Sequence, residues 1–230
     1  MLSKYLVSGE LKVVNVKRKS VWMTDSIFCK LYKEAQDKTT QIFGKQAGGH
    51  IAVGPYKAYV LRCLALHAAN FPGDMAELGV YHGGSAYLLT QVVPQKTLHL
   101  FDTFTGIPEI DKEHDPKNIK GMFRSSSQKV KQLLENKDIH IYEGIFPSTI
   151  TDTLRSKKFS FVHSDADIYL ATLAACDFFY PRLVSGGIMV FDDYGYIGTP
   201  GARDAVDEFF ADKIEMPIVF MPDQAVVIKI

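Results

Sequence analysis

Two groups of residues in the 230-residue chain have types and spacing suited to chemistry. The first is a glycine turn headed by an acid, Glu77-Leu78-Gly79-Val80-Tyr81-His82-Gly83-Gly84-Ser85. Gly79 and Gly83 allow a tight turn and a close approach of backbone to ligand. Amides at the start of a following helix can serve an anion or a carboxylate. Glu77 suits a cationic group such as an amine. The dinucleotide pattern G-x-G-x-x-G does not occur here, because Gly79 and Gly83 are four apart with Tyr81 between them. A nicotinamide dehydrogenase is therefore disfavoured. A further acid, Asp102, closes the apolar stretch Leu100-Phe101 ahead of Thr103. A carboxylate at that strand end can accept both hydroxyls of a ribose. An amino-acid tail near the glycine turn and a ribose at Asp102 together fit S-adenosylmethionine (SAM).

The second group is acidic. Asp165 and Asp167 follow Phe161-Val162-His163-Ser164, and Asp192 and Asp193 follow Val190-Phe191. In an open α/β sheet the ligand crevice lies beyond the carboxyl ends of the strands, so these four acids should converge there. Four close carboxylates repel one another unless a charge neutralises them. A hard divalent cation held by oxygen ligands meets that need, magnesium above all. Such an ion could hold a substrate hydroxyl and lower its pKa, leaving another carboxylate to take the proton. Asp167 also reads as a cap for the helix that follows it. His163 shares side-chain parity with Asp165 and is expected as a buried, hydrogen-bonded histidine. His82 could reach ligand or solvent, and His50 and His114 are given no role.

The elements that must position these residues alternate. The expected N-terminal extension, residues 1–50, carries a basic stretch, Lys17-Arg18-Lys19, and a helix from Asp25 to about Gln41. Gly44, Gly48 and Gly49 break it. A helix follows over 56–70, stopped at Phe71-Pro72-Gly73. Strands are then expected over 74–80, 97–102, 139–143, 159–165 and 187–192. Helices are expected over 85–93, 126–136, 147–154, 169–179 and 200–210, the 147–154 helix opened by Pro147. Residues 218–220 and 225–230 flank Pro222-Asp223 as a hairpin. This alternation predicts an α/β fold with a Rossmann-like, doubly wound, mostly parallel seven-stranded sheet and a C-terminal antiparallel hairpin strand. The stretch between Asp102 and Ser126 has no clear pattern, and loops of that length are often lids.

Composition bounds the partners. Lys plus Arg and Asp plus Glu are both 26, which argues against nucleic acid or an anionic membrane surface as partner. No apolar run is long enough to span a membrane, and the N-terminus lacks the pattern of a secretory signal. Cys29, Cys63 and Cys176 are odd in number and widely spaced, which suits reduced thiols in a cytoplasmic protein rather than a disulfide framework or a zinc site.

Taken in order, the segments Glu77 to Ala86, Phe101 to Pro108, Asp165 to Tyr169, Tyr180 to Leu183, Gly186-Gly187 and Asp192 to Gly195 resemble the macrocin O-methyltransferase (TylF/MycF) family over about residues 50–215. The resemblance implies a SAM-dependent methyltransferase domain over 51–230 that methylates a small-molecule hydroxyl, often on a natural-product sugar, with magnesium. It places Glu77, Gly79, Gly83 and Ser85 in the cofactor turn, and Asp102 with Thr103 at the ribose. Gly144, Ile145 and Phe146 fall beside the adenine, with Asp165 also near the cofactor. Asp165, Asp192 and Asp193 match the metal ligands, and Asp167 matches a proposed general base, with Asp165 beside it in the catalytic set. The loop after Asp102 corresponds to a region that closes over substrate, and the N-terminal segment to a lid or dimer contact. A homodimer or higher homo-oligomer is expected on the same analogy. The chain is shorter than some members, with little room for their substrate elements, so its acceptor is expected to differ from a macrolide sugar. It also carries Tyr81 where tryptophan is common, a change expected to leave cofactor binding intact. The alternatives are a catechol-type enzyme acting on an aromatic diol and a SAM-binding module without catalysis.

Overall fold

A computed structural model describes residues 2–7, 10–15, 20–45, 51–220 and 223–230. Lys17-Arg18-Lys19, Gly48, Gly49, His50 and Pro222 lie outside the described residues. The chain opens with an antiparallel pair, Leu2–Val7 (β1) and Glu10–Asn15 (β2), where a helical extension was expected. Two helices follow, Val21–Thr24 (α1) and Ser26–Phe43 (α2). Asp25 caps α2 by accepting from the Phe28 amide at 2.9 Å, as its position before the helix predicts.

The remaining elements alternate as expected. In chain order they are Pro55–Ala68 (α3), Asp74–Leu78 (β3), Gly84–Val92 (α4), Leu98–Asp102 (β4), Ser127–Leu133 (α5) and Ile139–Glu143 (β5). Then come Asp152–Arg155 (α6), Phe159–Ser164 (β6), Tyr169–Phe179 (α7), Leu183–Asp192 (β7), Pro200–Phe210 (α8), Ile218–Phe220 (β8) and Gln224–Ile228 (β9). One expected helix starts late. Residues 147–150 form a turn, and α6 begins only where Thr151 accepts from the Leu154 amide at 3.3 Å. Pro147 therefore does not open a helix; a side-chain oxygen at the right offset supplies the stronger start signal.

Seven strands make one sheet in the order β5-β4-β3-β6-β7-β9-β8. All pairings from β5 to β7 are parallel, and β9 inserts antiparallel between β7 and β8. β7 is longer than expected because Gly186 and Gly187 pair with Lys229 at its amino end. The strand order reverses between β3 and β6, which places the ligand crevice at their carboxyl ends. Buried apolar side chains fill both faces of the sheet. Phe28, Leu61 and Leu89 lie on the side of α2, α3 and α4; Phe159, Phe179 and Phe210 lie on the side of α6, α7 and α8. No helix among the described residues is long and apolar enough to cross a membrane.

Candidate active site

β3 and β6 deliver the glycine turn and the first acids to one place. Gly79 leaves β3 with φ at +86°, and a Cβ there would stand 1.8 Å from the Asp165 carbonyl oxygen. Only glycine fits this crossing. The Asp165 amide donates to the Leu78 carbonyl at 2.8 Å, which locks the two strand ends together. A cavity of about 580 Å³ opens there. Of the expected site residues, Gly79, Asp102, Thr103, Gly144, Ile145, Phe146, Asp165, Asp167, Asp192 and Asp193 line it. Glu77, Gly83 and Ser85 are not among its lining residues.

The two strand-end acids expected at the cofactor do different work. Asp102 accepts from the Val80 and Tyr81 amides through Oδ2, at 2.8 and 2.7 Å, and from the Phe104 amide through Oδ1 at 2.7 Å. It pins the glycine turn to the end of β4. About one of its roughly four acceptor positions stays free for a ligand, so its expected grip on two ribose hydroxyls is narrowed. Glu77 is fully buried, and its Oε1 meets Nδ1 of the equally buried His163 at 2.8 Å. His163 Nε2 in turn lies 3.5 Å from Asp192 Oδ1. His163 is thus the buried, bonded histidine expected, and it joins the glycine-turn strand to the acids of β7. Burial alone would lower its pKa, but Asp192 and Glu77 outweigh burial and hold it well above the usual histidine range.

The four acids do converge. Asp165, Asp167 and Asp193 bring potential ligand oxygens within 4.8 Å of one another, and Asp192 groups with Asp165 and His163 in the same way. Burial, then repulsion from Asp192 and Asp193, pushes the Asp165 carboxyl well above the ordinary range. Burial and then Asp193 do the same to Asp167. Asp192 is held low instead: burial would raise it, but His163, Lys57 and Gln224 prevail. Such a set of oxygen donors, carrying more negative charge than its neighbours offset, fits a hard divalent cation.

The long loop after Asp102 is folded down onto this end of the sheet. Asp115 is buried, and both its oxygens accept from the Tyr169 amide at 3.1 Å. It thereby does the work of an N-cap for α7, whose own cap residue, Ile168, has no side-chain oxygen. Asp167 is released from that alternative role. A Cβ on Gly201 would stand 2.1 Å from Asp115 Oδ1, so α8 also starts against this acid. Asn118 donates to the Asp167 carbonyl at 2.8 Å and steadies a residue whose φ is +60°. His114 stacks on Tyr169 and meets Asp204 at 3.0 Å. His82 lies stacked between Tyr81 and Phe43 and reaches neither cavity nor solvent. Its burial, and then the Lys129 charge, bring its pKa down to about 4.

A family model described as Macrocin-O-methyltransferase (TylF) matches residues 60–229. The chain belongs to the macrocin O-methyltransferase family. This is a family of SAM-dependent methyltransferases. Demethyldecarbamoylnovobiocin O-methyltransferase of Streptomyces niveus is 28% identical over 158 residues, covering 62% of this chain and 60% of that protein. A relative from Streptomyces olivaceus is 26% identical over 159 residues, covering 62% of this chain and 59% of its own length. It is the 8-demethyl-8-(2,3-dimethoxy-alpha-L-rhamnosyl)-tetracenomycin-C 4'-O-methyltransferase. The chain thus spans about 60% of the length of these curated relatives. The solved O-methyltransferase NovP shares the fold with a TM-score of 0.69 at 24% identity, over 84% of this chain and 88% of that one.

Sequence reasoning missed one charged residue in this macrocin-family site. Lys57, from the first turn of α3, reaches the acids of β7. Its Nζ lies 3.0 Å from Asp193, 3.2 Å from Asp223 and 3.4 Å from Asp192. Burial would lower its pKa, but Asp192 and then Asp193 raise it above the usual lysine value. Gln224 of β9 adds a short bond to Asp192 Oδ1. No local pattern marks Lys57 or Gln224. The one available signal was the excess of acids, which calls for a basic partner without saying where in the chain it lies.

Proposed function

We propose that this macrocin-family chain transfers the methyl group of SAM to a hydroxyl of a small molecule, a sugar of a natural product or a glycan, with the aid of a divalent cation, magnesium by its chemistry. The observation that carries this reading is the convergence of Asp165, Asp167, Asp192 and Asp193 in the cavity that also holds the glycine turn at Gly79. SAM fits along Gly79, Asp102, Ile145 and Phe146, with its methyl directed toward the acids. The sugar is favoured by the rhamnosyl unit named in the Streptomyces olivaceus relative.

Asp165, Asp192 and Asp193 would hold the cation, with Asp192 steadied by Lys57, Gln224 and His163 and with Asp167 beside the set. When bound, the ion supplies charge that keeps these carboxylates ionised and lowers the pKa of a hydroxyl placed against it. Asp167 stands at the cavity wall, its backbone steadied by Asn118, and accepts the hydroxyl proton. The acceptor oxygen forms its bond to the methyl carbon as the carbon–sulfur bond breaks, and S-adenosylhomocysteine leaves. Positioning the two substrates in line supplies much of the acceleration.

The test is methyl-labelled SAM offered with a panel of sugar hydroxyl acceptors and aromatic diols, with magnesium and with EDTA. Label transfer to a sugar, lost with EDTA, is expected. Transfer only to the diols would move the chain to the catechol type. SAM binding with no transfer to any acceptor would favour a binding module.

A further inference from the structure

The residue left over from this reading is Lys57. Its side chain, 13% exposed, lines the cavity wall, with three carboxylates within 3.4 Å of its ammonium. Two of them, Asp192 and Asp193, are among the carboxylates suited to a divalent cation. The third, Asp223, stands at the start of β9, outside that set. Lys57 is therefore already a cation on the acids that a metal would use. An ammonium and a divalent ion cannot both sit at full contact on one carboxylate oxygen without repelling each other strongly at this range. Lysine suits such a place, being a compact point charge on a flexible four-carbon stem. Asp223, already 3.2 Å from the ammonium, stays available to it when Asp192 and Asp193 turn to a metal. One oxygen of Asp223, buried and without a hydrogen bond, is the atom that faces Lys57.

We propose that Lys57 is the resident counter-charge of the acidic cluster, and that a divalent cation entering the site displaces its ammonium from Asp192 and Asp193 onto Asp223. Lys57 keeps the carboxylates together while the site lacks metal and sets how tightly metal binds. It is a positioning residue, since it acts through the acids. Asp223 serves as its receiver. This rests on the proposed metal-assisted reading of the same site.

The test reads metal affinity rather than turnover. Manganese(II) serves as the probe, titrated into the whole chain and followed by electron paramagnetic resonance of the free ion. Lys57→Met removes the competitor and is expected to bind manganese at least about tenfold more tightly. Asp223→Asn removes the receiver and is expected to bind it about three- to tenfold more weakly. Simple charge effects predict the same signs, so the double variant decides. If Asp223 acts through Lys57, Asp223→Asn changes nothing further in the Lys57→Met background, to within about twofold. If both act only through space, the two effects add and the proposal fails. It fails equally if Lys57→Met leaves the affinity unchanged or weaker. Lys57→Gln is carried alongside, with thermal unfolding, in case the methionine variant does not fold. Failure of the metal reading itself looks different: the native chain and both Lys57 variants bind no manganese, and label transfer from SAM ignores EDTA. That result also removes this proposal.

Discussion

The amino end of the central sheet and the Asp165–Asp167 turn at its carboxyl end treat acids in opposite ways. At the amino end, Glu215 is closed off by the Tyr180 hydroxyl, by Lys229 Nζ at 3.2 Å and by the Ile230 amide at 3.2 Å. Burial would raise its pKa, but these partners, led by Tyr180, bring it down to about 2. Asp74, at the start of β3, is likewise met by Lys157 at 2.8 Å and His99 at 3.1 Å, and it too ends below the ordinary carboxylate range. At the carboxyl end, Asp165 and Asp167 stand half-buried among other acids, and burial and those neighbours push them up. All four are carboxylates drawn partly or wholly out of water; the partners differ. Acids surrounded by donors hold the fold together. Acids facing one another store repulsion that a ligand can relieve, and such sites commonly trade stability for function.

The largest expected effect is at the carboxyl end. Asp165→Asn should lower methyl transfer by about a thousandfold while leaving the urea midpoint unchanged or raising stability by about 1 kcal/mol, since a repelling charge is gone. A large loss of stability in that variant would erase the contrast between the two ends. Gly79→Ala tests the crossing that joins β3 to β6. A Cβ placed 1.8 Å from a backbone oxygen, at φ +86°, should cost about 3 kcal/mol or more and abolish SAM binding in calorimetry.

The amino end should give the reverse pattern. Glu215→Gln is expected to cost about 3 kcal/mol in urea unfolding, with SAM affinity unchanged. Its folded pKa lies below its unfolded one, so the stability it contributes is complete above pH about 4.5 and disappears as pH falls toward about 2. The variant should flatten that acid limb. The smallest effect is at His82, whose pKa of about 4 also lies below its unfolded value. A neutral buried histidine adds stability fully above pH about 6.5 and loses it as pH falls toward 4. Unfolding at pH 5 rather than 7 should show a loss of about 2 kcal/mol from this group, absent in His82→Phe.

Much of the fold was legible because it is written in short-range terms. Apolar runs bounded by glycine and proline placed the strands of the large sheet, and the terminal hairpin placed its antiparallel strand. The helix at Pro147 was misplaced because proline is tolerated both at a helix start and in a turn, and the choice fell to Thr151 four residues on. The β1–β2 pair escaped notice because the basic stretch beside it masked two short apolar alternations. Among the candidate site residues, the acids after β6 and β7 were visible because strand ends in such a sheet face one crevice.

The sequence by itself determined that a tight glycine turn would follow β3, that acids would gather beyond β6 and β7, and that His163 would be buried. These follow from backbone geometry and strand periodicity, which are local. Only the tertiary structure decided which acid does what. It spent Asp102 on three backbone amides, gave the capping of α7 to Asp115 from a loop more than fifty residues away, and brought Lys57 from α3 onto Asp192, Asp193 and Asp223. The role of a charge depends on its partners, and partners are chosen by the packing of distant elements, which spacing along the chain does not encode.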